Sequence, residues 1–178
     1  MIQWPDLRDI LKDIPWVLIG GVATRAYMAE RVTKDMDVLV HDRDGEAARR
    51  RLEAVGFHYV SRLIVPGAIL QSPDGIDIDL IYGRYPWLDE ALTHPSYDAA
   101  GYPVIALPYL VLLKLWATRD QDWTDITRML STATDEQINQ VRAVVAHYSP
   151  EDSDDLETMI YLGQREMEMP DQPDEADA

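Results

Sequence analysis

The chain has 178 residues, a formal net charge of −16 and no cysteine, which excludes disulfides, thiolate metal sites and cysteine nucleophiles. No apolar run reaches bilayer length, and charged residues from Asp6 to Asp13 interrupt the N-terminus too early for a signal peptide, so a cytoplasmic protein with no membrane partner is expected. Residues 150–178 hold eleven acids and one base, and the mildly acidic remainder offers no broad basic face for extended duplex nucleic acid.

Residues 5–13 predict a short helix, with Pro5 in its first turn and Leu7, Ile10 and Leu11 as its apolar stripe. Residues 16–19 predict the first strand. It stops at Gly20-Gly21, where the missing Cβ atoms let backbone approach a ligand closely. A helix over about 22–30 follows, and its N-terminal amides would favour a phosphate. The plainer alternative is a tight turn with no ligand.

Residues 36–40 predict the second strand. Asp35 and Asp37 stand two apart at its start and therefore share one face. Two carboxylates projecting together from a core strand cost free energy unless a cation sits between them. Hard oxygen pairs suit Mg²⁺, which takes one or two carboxylates plus substrate phosphates. Asp42-Arg43-Asp44-Gly45 reads as the turn that ends this strand. A helix over 45–55 carries Arg49-Arg50-Arg51, read as a solvated face rather than a contact for RNA phosphates. A hairpin over 57–64 and 68–71 turns at Val65-Pro66-Gly67. Residues 76–82 predict a further strand with Asp77 and Asp79 on one face. If it lies beside the second strand, one of this pair joins Asp35 and Asp37 at a two-metal site for phosphoryl chemistry.

Residues 85–92 predict a helical turn or two, and Thr93 to Pro103 an irregular, substrate-facing loop. A helix over 109–118 places Leu110, Leu113 and Ala117 on one face and Leu112 and Trp116 on another, with Lys114 its only cation. Taken alone, Lys114 reads as a snorkelling side chain. A polar-capable helix position gains little stability from Lys, so Lys114→Ala is expected to weaken triphosphate binding and leave the fold intact. Asp122 reads as an N-cap of the next helix, over 124–131. Helices over 135–147 and from 149–152 to about Gly163 follow. Beyond Gln164 the low hydrophobicity and high charge predict a disordered tail. His41, His58 and His147 lack ligand spacing, and His94 reads as a solvated loop residue, so zinc is not expected.

The run Gly20-Gly21, thirteen further residues, then Asp35-Met36-Asp37 resembles the signature of the nucleotidyltransferase superfamily, the DNA-polymerase-β-like fold. Arg31-Val32-Thr33-Lys34-Asp35-Met36-Asp37 is similar to the Arg-x-Thr-x-Asp-apolar-Asp of its small bacterial branch, which holds AbiEii-type toxins, minimal nucleotidyltransferases and aminoglycoside or lincosamide nucleotidyltransferases. Asp79-Leu80-Ile81 matches the family's third carboxylate. The resemblance spans roughly residues 15–130.

It implies an α/β fold with a small mixed sheet, flanking helices and a helical C-terminal segment. It implies two Mg²⁺ held by Asp35, Asp37 and Asp79, and phosphates held by Gly20, Gly21, Thr33 and Lys114. Lys114 is followed, as in that branch, by an arginine and acids resembling Arg119 to Asp125, and Asp122 or Asp125 would orient it or serve as a base. The implied reaction moves a nucleoside monophosphate from an NTP to an acceptor hydroxyl on an RNA end, a protein or a small molecule. A small antitoxin would be a partner if the chain belongs to the toxin branch. The organisation expected is a catalytic core over 1–107, a helical segment over 108–164 and a tail over 165–178. The alternatives are a catalytically silent nucleotide-binding module of the same fold and an interaction protein acting through its acidic tail.

Overall fold

Strand β1 (Trp16–Ile19) is buried at all four positions and runs antiparallel to β2 (Asp35–His41), with Ile19 opposite Asp37. The computed structural model describes residues 4–29, 33, 35–117 and 119–168, with side chains described through residue 165. The Arg31, Val32 and Lys34 of the sequence motif, and positions 169–178 of the expected tail, lie outside the described residues.

By contact the chain divides into two compact units, Met1–Ala106 and Leu107–Ala178. The first is built on a seven-stranded mixed sheet of order β3-β4-β5-β2-β1-β7-β6. Strands β3 (His58–Arg62) and β4 (Gly67–Gln71) form the expected hairpin, and β4 runs antiparallel to β5 (Asp77–Gly83). Strand β5 lies parallel to β2 over seven residue pairs. The short β6 (Ser96–Tyr97) and β7 (Pro103–Val104) occupy part of the segment expected to be irregular, and β7 extends the sheet by pairing in parallel with β1.

Alternation fixes the two faces of β2 and β5. Met36, Val38, Val40, Ile78 and Leu80 are fully buried on one face. Helix α2 (Asp42–Ala54) covers that face at Gly45, where an added Cβ would fall 2.5 Å from the Tyr82 ring. The helix starts three residues earlier than expected. Asp42 and Asp44 suit its first turn, and the His41 ring accepts a hydrogen bond from the Arg43 amide, so the acidic run begins the helix rather than a turn. Arg49 in this helix pairs with Glu46 and Glu53, in keeping with a solvated face.

Two predicted helices are cut down. Residues 5–13 form only turns, with Leu7 and Leu11 buried and a single helical bond from the Leu11 amide to the Leu7 carbonyl. Such a short run cannot recover the cost of helix nucleation. After β1, helix α1 spans only Gly20–Ala23 and passes into a 3-10 turn, Thr24–Ala26. Helix α3 (Leu88–Thr93) follows β5.

The second unit is helical: α4 (Leu107–Ala117), α5 (Asp120–Ser131), α6 (Asp135–Tyr148) and α7 (Ser153–Glu168). Helix α4 is buried nearly all round; of its residues only Leu113, Trp116 and Ala117 are partly or fully exposed. A capping box at Thr134 and Gln137 starts α6. Helix α7 does not stop at Gly163. There a Cβ would fall 2.6 Å from the Thr127 carbonyl oxygen, so the glycine lets α7 pack against α5, and residues 165–168 are helix rather than tail.

Candidate active site

The parallel register of β2 and β5 sets Asp35 beside Asp77 and Asp37 beside Asp79. Because residues two apart on a strand share a face, all four carboxylates stand on the same face at the N-terminal ends of neighbouring strands. Asp35 and Asp77 are exposed, whereas Asp37 and Asp79 are half-buried. Burial pushes the Asp79 carboxyl above the usual carboxylate range, and the charges of Asp35 and Asp77 push it further the same way.

The two members of the β5 pair differ in their neighbours. Gln71, opposite Asp77 on β4, donates from Nε2 to the Asp77 carboxylate at 3.0 Å. Asp79 receives no hydrogen bond from any described residue, and Ile69 stands across from it on β4. On β2, the Thr33 hydroxyl donates to Asp35 Oδ1 at 3.1 Å.

Gly20 is pressed against this cluster. Its φ of 62° lies in the left-handed region, and a Cβ built on it would fall 2.6 Å from Asp37 Cγ. Only glycine satisfies both the backbone and the space. Gly21 follows in α1, and its carbonyl accepts a hydrogen bond from the Thr24 hydroxyl at 2.8 Å. The shortness of α1 removes the long helix dipole expected behind the glycines; the bare backbone beside Asp37 remains. The Thr24–Tyr27 segment is tied down by Arg25, which donates to Asp98 at 2.7 Å, and by the Tyr27 hydroxyl, which donates to the Ile105 carbonyl at 2.7 Å.

The donor set is chemically suited to a hard divalent cation. It offers only carboxylate oxygens, on rigid strands, with one carboxyl already strained by its neighbours' charge. Among the described residues no three acidic or histidine side chains converge closely enough to close a metal site by themselves. Mg²⁺ does not require such closure, since it keeps waters and takes substrate phosphate oxygens beside one or two carboxylates. The residues present therefore fit this ion in type and number.

In the second unit, Lys114 does not snorkel. It is 4% exposed, and its ammonium donates to Asp122 Oδ1 at 2.8 Å and Asp125 Oδ2 at 2.7 Å. Arg119 Nε donates to the other Asp122 oxygen at 2.9 Å. Asp122 is thus not an N-cap; Arg119 holds that position, and Asp122 lies in the first turn of α5, facing Lys114. Burial drives the Asp122 carboxyl upward, but hydrogen bonds and charge from Lys114, then Arg119, outweigh it and hold the group below the usual range. Gln121 completes the network by donating to Asp125 Oδ1 at 3.2 Å. The motif from Arg119 to Asp125 pointed toward these acids; burial of Lys114, Asp122 and Asp125 had no sequence signal, because the helix repeat cannot distinguish a covered face from a wet one.

The sequence matches no protein-family profile and no curated protein. Solved structures do match. The lincosamide antibiotic adenylyltransferase LnuA, with lincomycin bound, superposes with a TM-score of 0.56 at 13% identity, covering 71% of this chain and 94% of its own. ANT(2")-Ia in complex with adenylyl-2"-tobramycin superposes with a TM-score of 0.51 at 13% identity, covering 90% of this chain and 94% of its own. With its mixed sheet, its paired-carboxylate strands and these neighbours, the chain has the nucleotidyltransferase fold.

Proposed function

We propose that this protein transfers a nucleoside monophosphate from an NTP to an acceptor hydroxyl. The observation that carries the reading is the β2–β5 register, which gathers Asp35, Asp37 and Asp79 on one face beside a glycine that no other residue can replace. Asp79 is the third functional carboxylate rather than Asp77, which Gln71 engages.

Asp35, Asp37 and Asp79 would hold Mg²⁺, which when bound lowers the pKa of an acceptor hydroxyl and neutralises triphosphate charge. The chain's own residues do the positioning. Gly20 seats bare backbone against Asp37, and Thr33 orients Asp35 through its hydroxyl. Gly21 extends that backbone surface, which can approach a phosphate without a Cβ in the way. Lys114, expected as a phosphate cation, has two of its three N–H donors committed to Asp122 and Asp125 within the helical unit. In the reaction the acceptor oxygen forms a bond to the α-phosphorus, the bond from that phosphorus to the bridging oxygen breaks, pyrophosphate leaves, and the hydroxyl proton passes to a nearby carboxylate or water. Alignment and charge placement provide most of the rate in such transfers.

The adenylyl-2"-tobramycin of one structural neighbour and the lincomycin of another support an adenylyl group as the moiety transferred and a small molecule as acceptor. An RNA end or a protein hydroxyl, with an antitoxin partner, is the toxin version of the same chemistry. A second reading, a silent nucleotide-binding module, draws on the absence of a closed metal cluster among the described residues. Incubation with α-labelled NTPs, Mg²⁺ and fractionated acceptors separates these. Label in a small molecule supports the antibiotic-like version, and label in RNA or protein the toxin version. Tight NTP binding with no label moved across all four nucleotides replaces the transferase by the silent module.

A further inference from the structure

The opposite face and far edge of the same sheet carry a surface that the transfer reaction does not use. Strand β3 is the end strand of the sheet, paired with β4 alone, so its outer row of backbone amides and carbonyls is unspent among the described strands. Natural edges of this kind are usually short, charged or covered. This one is apolar on both sides: Tyr59 is 49% exposed and Val60 54%, and in the loop that follows Ile64 is fully exposed and Val65 half-exposed. With Val55, half of the large exposed apolar residues among the described residues fall within eleven positions. Such clustering marks an interaction site more often than chance exposure does.

A groove of about 580 Å³ opens beside this edge, lined in part by Glu46, Arg49, Tyr59, Arg62, Val65 and Tyr82. Tyr82 alternates with Asp79 along β5, so the groove lies on the face opposite the carboxylates. Within it Arg49 is committed to Glu46 and Glu53, whereas Arg62 is exposed and makes no ion pair with a described residue. From Ala54 to Pro73 the sequence has no acidic residue, although the whole chain carries −16.

We infer that the β3 edge and its groove dock an extended acidic–apolar segment of a partner protein, added as an extra strand. Main-chain bonds to the free edge would supply registration, an apolar side chain would enter the groove beside Tyr59 and Val65, and a carboxylate would meet Arg62. The pairing shift between Tyr59 and Ser61 bulges β3 at Val60, which restricts the added strand to a few residues and turns the Val60 side chain outward as an anchor. Charge decides against a second copy of this chain. Two β3 edges would set His58 and Arg62 against the same residues with no acid on either side. The inference is independent of nucleotidyl transfer, since none of these residues belongs to the site on the other face.

The test uses the full chain and three fluorescein-labelled nonapeptides read by anisotropy: one alternating Glu and Val around a central Tyr, the same with Lys for every Glu, and the same with Pro at two central positions. The acidic peptide should bind saturably and at least tenfold more tightly than either of the others. Arg62→Glu and Ile64→Asp should each weaken it about tenfold, with thermal melts and nucleotide binding unchanged. Equal binding of all three peptides, no binding of the acidic one, or indifference to both substitutions would overturn the inference. So would a concentration-dependent dimer in sedimentation velocity that Val60→Asp dissolves, because the edge would then serve self-association.

Discussion

Replacing Lys114 by Ala should destabilise the helical unit severely, against the expectation drawn from its sequence context. The ammonium is 4% exposed and holds Asp122, 3% exposed, and Asp125, fully buried, at 2.8 and 2.7 Å. Removing one partner of a buried ion pair costs about 3–5 kcal/mol, because the remaining charge keeps its desolvation penalty without its attraction. Arg119 still reaches Asp122 at 2.9 Å in the variant, so most of the loss falls on Asp125. For a chain of this size each kcal/mol moves the midpoint by about 2–4 °C, which predicts a fall of roughly 6–20 °C.

The effect should depend on pH in a set direction. Asp122 titrates below its ordinary value of 3.8 when folded, so its contribution is present above that value and is lost as pH falls through its lower folded value. The gap between parent and variant should therefore be full at neutral pH and narrow in acid, as Asp122 protonates and its attraction to Lys114 is lost from the parent. Urea unfolding from pH 7 to pH 3, with hydrogen exchange on α4 and α5, measures this. The triple change Lys114→Met, Asp122→Leu and Asp125→Leu should recover much of the loss. A midpoint shift under about 2 °C for Lys114→Ala, or a gap that widens in acid, would refute the buried network and restore the snorkelling side chain.

Asp37→Asn should reduce label transfer by about 10²–10³-fold or more while NTP-free melting changes little, since charge placed for the transition state is what is lost. Gly20→Ala should cost about 1–3 kcal/mol in denaturant titration for its left-handed φ alone, and should also impair transfer by displacing Asp37; a silent substitution would show that the backbone there relaxes freely. Asp79→Asn in chelator should stabilise the protein by up to about 1 kcal/mol by relieving like-charge crowding, and should lose that advantage when Mg²⁺ is added. Chelation should also abolish most NTP affinity in calorimetry; equal affinity with and without Mg²⁺ would remove the metal from the proposal.

The sheet was readable because its strands announce themselves. The run from Trp16 to Ile19 ends at two glycines, and Asp35, Asp37, Asp77 and Asp79 alternate with residues that are all buried. Which strand lies beside which was not readable. The β2–β5 pairing joins positions 42 residues apart, and nothing in the local pattern of either strand chooses its partner. Helix limits failed where tertiary contacts override propensity. Gly163 sits inside α7 because α5 passes close to it, and Gly45 inside α2 because Tyr82 does. Resemblance alone favoured Asp79 over Asp77; the physical difference between them rests on Gln71, which only the hairpin brings alongside.

The β2–β5 register has a consequence for the protein in the cell. Asp37 and Asp79 become neighbours only once the chain that runs through α2, β3 and β4 has folded back to lay β5 beside β2, so the candidate site has no partial version in a partly folded chain. Any ligand that needs both carboxylates then binds the native state alone. At a free concentration 100 times its dissociation constant such a ligand adds about 2.7 kcal/mol to folding. If nucleotide with its cation is that ligand, the abundance of this protein becomes tied to the energy state of the cell: starvation would lower occupancy and enlarge the unfolded fraction open to proteases, with no dedicated regulator required.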